Sequence, residues 1–227
     1  LDAVFYPNSY INELIFRQEG WHYHLENVND PLTYNGVVYN EMKGFFSSVE
    51  EVLERSVFND LFPNTAYGVE SGGDPEYITE LTYREFLDFH KKYYHPFNSY
   101  IYLYGNIDMQ EKLAWMDREY LSKFDAAEVD SEIQFQKPFK NQKQIFLEYP
   151  VLDDEPIEEN SYLANSMVVC NSLDVVLNVA FSVLEYVLLD APGAPVKQAL
   201  LDAHVGKDIC GSYENSICQP FFTIVAK

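Results

Sequence analysis

Apolar residues between Asn35 and Leu61 recur at the three- and four-residue spacing of one helix face. This pattern predicts a single long helix that ends before Pro63. Four residues lie on this helix face: Val38, Glu41, Phe45 and Val52. Three apolar residues, Val37, Met42 and Val49, lie beside them. The pattern therefore places the carboxylate of Glu41 among core-facing residues, where a charge needs a partner.

Three further elements are predicted between residues 82 and 124. Thr82 and Glu85 have the spacing of a capping box, and the helix that they open should stop at Pro96. Residues 99–106, "SYIYLYGN", alternate tyrosines with aliphatic residues, which predicts a strand. A further helix should run from Asp108 to about Phe124.

The second half of the chain predicts an α+β arrangement. Residues 125–138 are polar, lack helical periodicity and predict a linker. Strands are expected at 144–150 and 161–170, joined in a hairpin by an acidic turn at 151–160. The remaining predicted elements are helices at 172–189 and 193–206 and two strands on either side of 214–216. We expect an antiparallel sheet packed with helices.

Composition narrows the classes of function. The 227 residues are 47% hydrophobic, which is enough for one sizeable core or two small ones. Thirty-six acidic residues against 15 basic ones give a net charge of −21, which repels nucleic acid and anionic membranes and suits basic peptides. We therefore expect neither a nucleic-acid nor a membrane partner.

Three cysteines without paired spacing suit a reducing compartment, such as the bacterial cytoplasm or an organellar matrix. The first residues show no pattern of a secretion signal, and no uninterrupted apolar run is long enough for a membrane span. Because the chain begins without Met, we expect it to be a piece of a longer polypeptide.

The histidines offer few catalytic arrangements. His22 and His24 would share one face of a strand, where such a pair can hold a metal if a third ligand converges, but exposed pairs are usually polar surface. One interpretation unites them with Glu41 in a self-contained site. His90 and His95 do not align on a helix face, and His204 suits a helix C-terminus.

Three long segments resemble the inverted zincin metallopeptidases of the M16 family, in its presequence-protease and falcilysin branch. They are "GVVYNEMKG", "FPNTAYGVESGGDPEYITELTYREFLDFHKKYYHPFNSYIYLYGNID" and "APGAPVKQALLDAHVGKDICGSYENSICQPFFTIVAK". In that family a His-x-x-Glu-His motif supplies two zinc ligands and a base, and a Glu in a "NE" context supplies the third ligand. The resemblance thus implies that Glu41 is a zinc ligand, buried because the metal neutralises it.

The chain contains no His-x-x-Glu-His. The resemblance therefore implies a fragment without catalytic residues of its own, from a zinc endopeptidase that degrades short unstructured peptides in a closed chamber. It further implies that 1–124 is the C-terminal part of a zinc-binding domain, and that 139–227 is the N-terminal part of a second, non-catalytic domain. The expected partners are peptides and the rest of the same polypeptide. The alternative is a non-catalytic M16-like scaffold or peptide-binding module.

Overall fold

The computed structural model describes residues 1–151, 157–158 and 160–227. They form two compact units: unit 1 comprises Leu1–Gly44 and Gly72–Glu132, and unit 2 comprises Phe45–Ser71 and Ile133–Lys227. The segment 45–71 thus groups with the C-terminal half of the chain. The division into M16 domains at 125–138 stays a prediction.

Helices and two small antiparallel sheets give an α+β fold. In chain order the elements are α1 Asp2–Phe5, α2 Glu13–Glu19, β1 His22–His24, β2 Thr33–Asn35, α3 Val37–Phe45, α4 Val49–Leu61, α5 Pro75–Ile78, α6 Tyr83–Tyr93, α7 Met109–Glu119, β3 Leu163–Val168, α8 Val175–Glu185, α9 Pro195–Asp202, β4 Ile209–Glu214 and β5 Phe221–Ala226.

Helix α6 of unit 1 begins where the sequence predicts it. The Thr82 hydroxyl accepts a hydrogen bond from the Glu85 backbone N–H at 3.2 Å, and the Glu85 carboxylate accepts one from the Thr82 N–H at 2.9 Å. This reciprocal pair is the predicted capping box, and it satisfies two N–H groups that a helix start otherwise leaves free. Helix α7 likewise begins with the Asp108 cap.

Unit 2 is built on a sheet in the strand order β3-β5-β4, with both pairings antiparallel. Phe222 of the central strand lies opposite Tyr213 and Met167, and with Leu189 and Tyr213 it forms the buried cluster on one face. On the other side, the Phe221 ring lies 5.0 Å from the Phe58 ring of α4. Helices therefore cover both faces of the central strand.

Two predicted strands do not form. Residues 99–106 and 144–150 have no strand structure, and the side chains of Tyr102 and Phe146 are 85% and 92% exposed. Among the described residues neither segment has a partner strand, and the period-two pattern cannot form a sheet alone. The predicted hairpin is therefore wrong, and its acidic turn lies largely outside the described residues.

The predicted helix over 35–61 is two helices. The chain leaves α3 after Phe45, and Ser48 is extended (φ −86°, ψ 134°) before α4 begins. A stripe drawn through Val52 therefore joins residues of two different helices.

The apolar stretch Val175–Asp202 is 28 residues long and, by length and composition alone, could cross a membrane. The stretch contains Asn178, Glu185 and Asp190, so it does not contradict the expectation that no uninterrupted apolar run is long enough for a membrane span. One such helix is weak evidence for a membrane span, and the stretch is interrupted, because Ala191 is extended (φ −61°, ψ 148°) between α8 and α9.

Candidate functional site

The helix that carries Glu41 starts at a close backbone crossing. Gly36, with φ +153°, precedes α3, and a Cβ on it would lie 2.2 Å from the Gly20 carbonyl oxygen. The Tyr39 N–H donates to that same oxygen at 3.3 Å. Only glycine permits this approach, so Gly36 fixes where α3 begins in unit 1.

Asn35 stabilises the same helix start. Its Oδ1 accepts hydrogen bonds from the Gly36 N–H at 2.7 Å and from the Asn40 Nδ2 at 2.8 Å. Asn40 is the neighbour of Glu41 in the "NE" pair, so its side chain is occupied within the protein. Sequence reasoning missed Asn35, although an Asn before a Gly at the start of a helical pattern is a recognisable signal.

Met42 is the residue through which α3 packs. It is the buried residue of the helix, and a Cβ on Gly72 would lie 2.4 Å from its sulfur. Because Gly72 has no side chain, the turn at 71–73 can approach Met42 closely. The two glycine approaches, at Gly36 and at Gly72, together fix the orientation of α3.

Glu41 lies on the exposed side of this helix. Its carboxylate forms no hydrogen bond or ion pair with any residue that the structure describes, and Val37 and Val38 of the same face are also exposed, Val37 by 51%. The expectation that Glu41 is buried in the core is therefore wrong. Met42 is the buried residue of α3, whereas Val38 and Phe45, which flank it on the helix surface, are exposed.

The residues described here do not fit a complete zinc site. Within them, no three His, Cys, Asp or Glu side chains converge on a position that could hold a metal ion. The interpretation that joins His22, His24 and Glu41 in one site is therefore wrong for this structure. Glu41 offers a single carboxylate, and its role as a metal ligand stays a prediction.

Two of the remaining histidines, His90 and His95, have structural partners. His90 Nδ1 lies 2.9 Å from the Tyr10 hydroxyl, and its Nε2 lies 2.8 Å from the Val4 carbonyl. His95 Nδ1 accepts the Phe97 N–H at 3.1 Å. Both rings are therefore engaged in packing and capping.

Unit 2 contains a groove that the sequence does not reveal. It has a volume of about 1550 Å³ and lies between α4, strand β3 and the segment 135–149. Cys170 is among its lining residues, and its thiol lies 3.7 Å from the Tyr213 hydroxyl. Burial, and then the contact with Cys170, raises the pKa of Tyr213 to about 12, so this phenol stays protonated at neutral pH and is a packing group rather than a base.

Comparisons with known proteins place these features in a family. A family model described as "Peptidase M16 inactive domain" matches residues 80–227. The chain is 48% identical over 227 residues to "Protein HypA" of Clostridium perfringens, covering 100% of this chain and 23% of that protein. It is 37% identical over 231 residues to "Presequence protease 1, chloroplastic/mitochondrial" of Arabidopsis thaliana, covering 100% of this chain and 21% of that protein.

A third relative is "Presequence protease, mitochondrial" of Danio rerio, 34% identical over 231 residues, with 99% of this chain and 22% of that protein covered. The chain thus spans about a fifth of the length of the curated relatives that it matches.

Proposed function

Because this chain belongs to the M16 peptidase family, we propose that it is part of a zinc-dependent endopeptidase that degrades short unstructured peptides in a closed chamber. Glu41 contributes one ligand to the zinc of that polypeptide. The chain by itself is inactive, since the described residues supply neither the further ligands nor a base beside Glu41. Its compartment is the cytoplasm of a bacterium or an organellar matrix.

The placement of Glu41 is the observation that supports this proposal most strongly. A charged side chain on the exposed face of a helix, beside two exposed valines and without a partner among the residues that the structure describes, is available to a group that comes from elsewhere in the polypeptide. The close approaches at Gly36 and Gly72 hold that helix in one orientation. A metal ligand needs this kind of fixed backbone, because metal–oxygen distances tolerate little variation.

The net charge of the chain indicates which peptides it would bind as substrates. With a net charge of −21, the chain attracts basic peptides and repels acidic ones. We propose that unit 2 contributes to the wall of the chamber rather than to chemistry. Of two unstructured peptides that differ only in having Lys or Glu at the same positions, the basic one should be cleaved faster. Equal cleavage rates at low salt would contradict the proposed preference for basic peptides.

The second candidate is a non-catalytic M16-like scaffold or peptide-binding module. The description of the matching model as an inactive domain favours it for residues 80–227. The residues that precede this chain in its natural polypeptide discriminate between the two. A His-x-x-Glu-His there favours the peptidase, and a degenerate motif favours the scaffold.

The test uses the longest natural polypeptide that contains this sequence and an unstructured fluorogenic peptide. We expect cleavage that a chelator abolishes and added zinc restores. In Glu41→Gln the rate constant should fall by at least about a hundredfold, because a neutral amide binds zinc far less well than a carboxylate.

Glu111→Gln is the matched control, because it removes the same charge from an exposed helical position of unit 1. Its activity should stay within about twofold of the parent. Equal activity of the two variants would rule out Glu41 as a ligand, and a parent that cleaves nothing would favour the scaffold.

A further inference from the structure

The hairpin of β1 and β2 presents two histidines on one face. His22 and His24 are two residues apart on β1, so their side chains point to the same side, and their ring centroids lie 6.2 Å apart. They lie opposite Asn35 and Thr33 of β2 in the antiparallel register. One metal ion bound to two imidazole nitrogens at about 2 Å each holds the ring centres roughly 5 Å apart, somewhat closer than they lie here.

A backbone contact sets the tautomer of His22. Its Nδ1 lies 2.8 Å from the Arg17 carbonyl oxygen, and because a carbonyl only accepts hydrogen bonds, Nδ1 carries the hydrogen. The Nε2 lone pair of the neutral ring is therefore available. A histidine whose other nitrogen donates to a backbone carbonyl is the arrangement that fixes metal-binding histidines.

His24 is the adaptable member of the pair. Within the described part of the chain its ring nitrogens form no hydrogen bond, so the ring can turn toward His22 without losing a partner. The nearest positive charge on α2, the Arg17 guanidinium, is paired with the Glu13 carboxylate at 2.8 Å. The net charge of −21 further favours a cation over an anion as the ligand.

We propose that His22 and His24 bind a divalent transition-metal ion that prefers imidazole, such as Zn²⁺, with water completing its coordination. This site is separate from the proposed role of Glu41, because no described carboxylate converges with the two rings. With only two protein ligands it exchanges its ion readily, unlike a closed structural site with four.

The experiment is a calorimetric titration of Zn²⁺ into the longest natural polypeptide that contains this sequence, purified with its tightly bound metal. The parent should bind about one more equivalent than His24→Ala does, or bind that equivalent roughly tenfold more tightly. His22→Ala should lose the same equivalent. His204→Asn is the control, because Asn tolerates the positive φ of 56° at that exposed position, and it should bind like the parent.

Each outcome decides the proposal. Loss of the equivalent in both histidine variants, with unchanged thermal unfolding, supports it. Equal zinc binding by the parent and His24→Ala overturns it, as does a loss in His204→Asn of the same size. The peptidase proposal is tested apart from this result, because it depends on tightly bound zinc and on Glu41, neither of which the two histidine variants remove.

Discussion

Strand β5 of unit 2 and residues 99–104 of unit 1 are both rich in aromatic and aliphatic side chains, and the sequence predicts a strand at each, but the outcomes are opposite. β5 lies between β3 and β4, and Phe222 is only 4% exposed. Residues 99–104 contain three aromatic side chains against two in β5, yet they form no strand, and Tyr102 is 85% exposed. The difference is the partner strand, because a strand satisfies its backbone hydrogen bonds only through its neighbours.

The largest expected effect contrasts these two regions directly. Phe222→Ala should lower the free energy of unfolding of the chain by about 4 kcal/mol, because it leaves a cavity against Leu189 and Tyr213. Tyr102→Ala should change it by less than about 0.5 kcal/mol, because the ring is already in water. Urea titrations of the two variants measure both values, and equal losses would show that residues 99–104 are packed in solution.

The second contrast is between two glycines at the ends of α3. Gly36→Ala should cost about 2 kcal/mol, because the new Cβ meets the Gly20 carbonyl and the positive φ is strained. Gly44→Ala should stabilise the chain by about 0.5 kcal/mol, since Gly44 lies within the helix with open space around its Cα. Thermal unfolding compares the two, and a stable Gly36→Ala variant would contradict the close backbone crossing.

The third prediction concerns a local signal that needs no distant partner. Thr82→Ala should cost about 1 kcal/mol, because the Glu85 N–H loses its acceptor at the start of α6. Amide exchange of the first turn of α6 should accelerate while exchange in β5 stays unchanged. Acceleration in both elements would show that the cap stabilises more than its own helix.

The smallest effect is a dependence on pH. Hydrogen bonds from the Thr82 side chain, and then from its backbone, hold the pKa of Glu85 below its usual value of 4.5. A lowered folded-state pKa stabilises the protein above pH 4.5, and that stability is lost as the pH falls through the folded value. The stability difference between the parent and Thr82→Ala should therefore shrink below pH 4.5 in unfolding experiments, and a constant difference would contradict the ionised cap.

Features set by neighbouring residues could be predicted from the sequence. The capping box at Thr82, the Asp108 cap, and strands β3, β4 and β5 are confirmed, because each signal lies within a few residues or finds its partner in this chain. The strand at 99–106 was predicted wrongly because alternation says nothing of the partner that a strand needs.

The candidate site shows the same limit. The pattern around Glu41 predicted helical structure but not the break between α3 and α4, and it placed Glu41 in the core, because spacing gives the faces of a helix and not what covers them. Met42, and not Glu41, faces the interior, where Gly72 approaches it. The approach of Gly36 to Gly20 involves residues 16 positions apart and left no signal in the periodicity.

The most direct test of the proposed function is the zinc content of the longest natural polypeptide that contains this sequence, measured by atomic emission after exhaustive dialysis. We predict about one tightly bound zinc in the parent and in Glu111→Gln, and little in Glu41→Gln. A Glu41→Gln variant that keeps its zinc through dialysis as well as the parent does would contradict the assignment of Glu41 as a ligand.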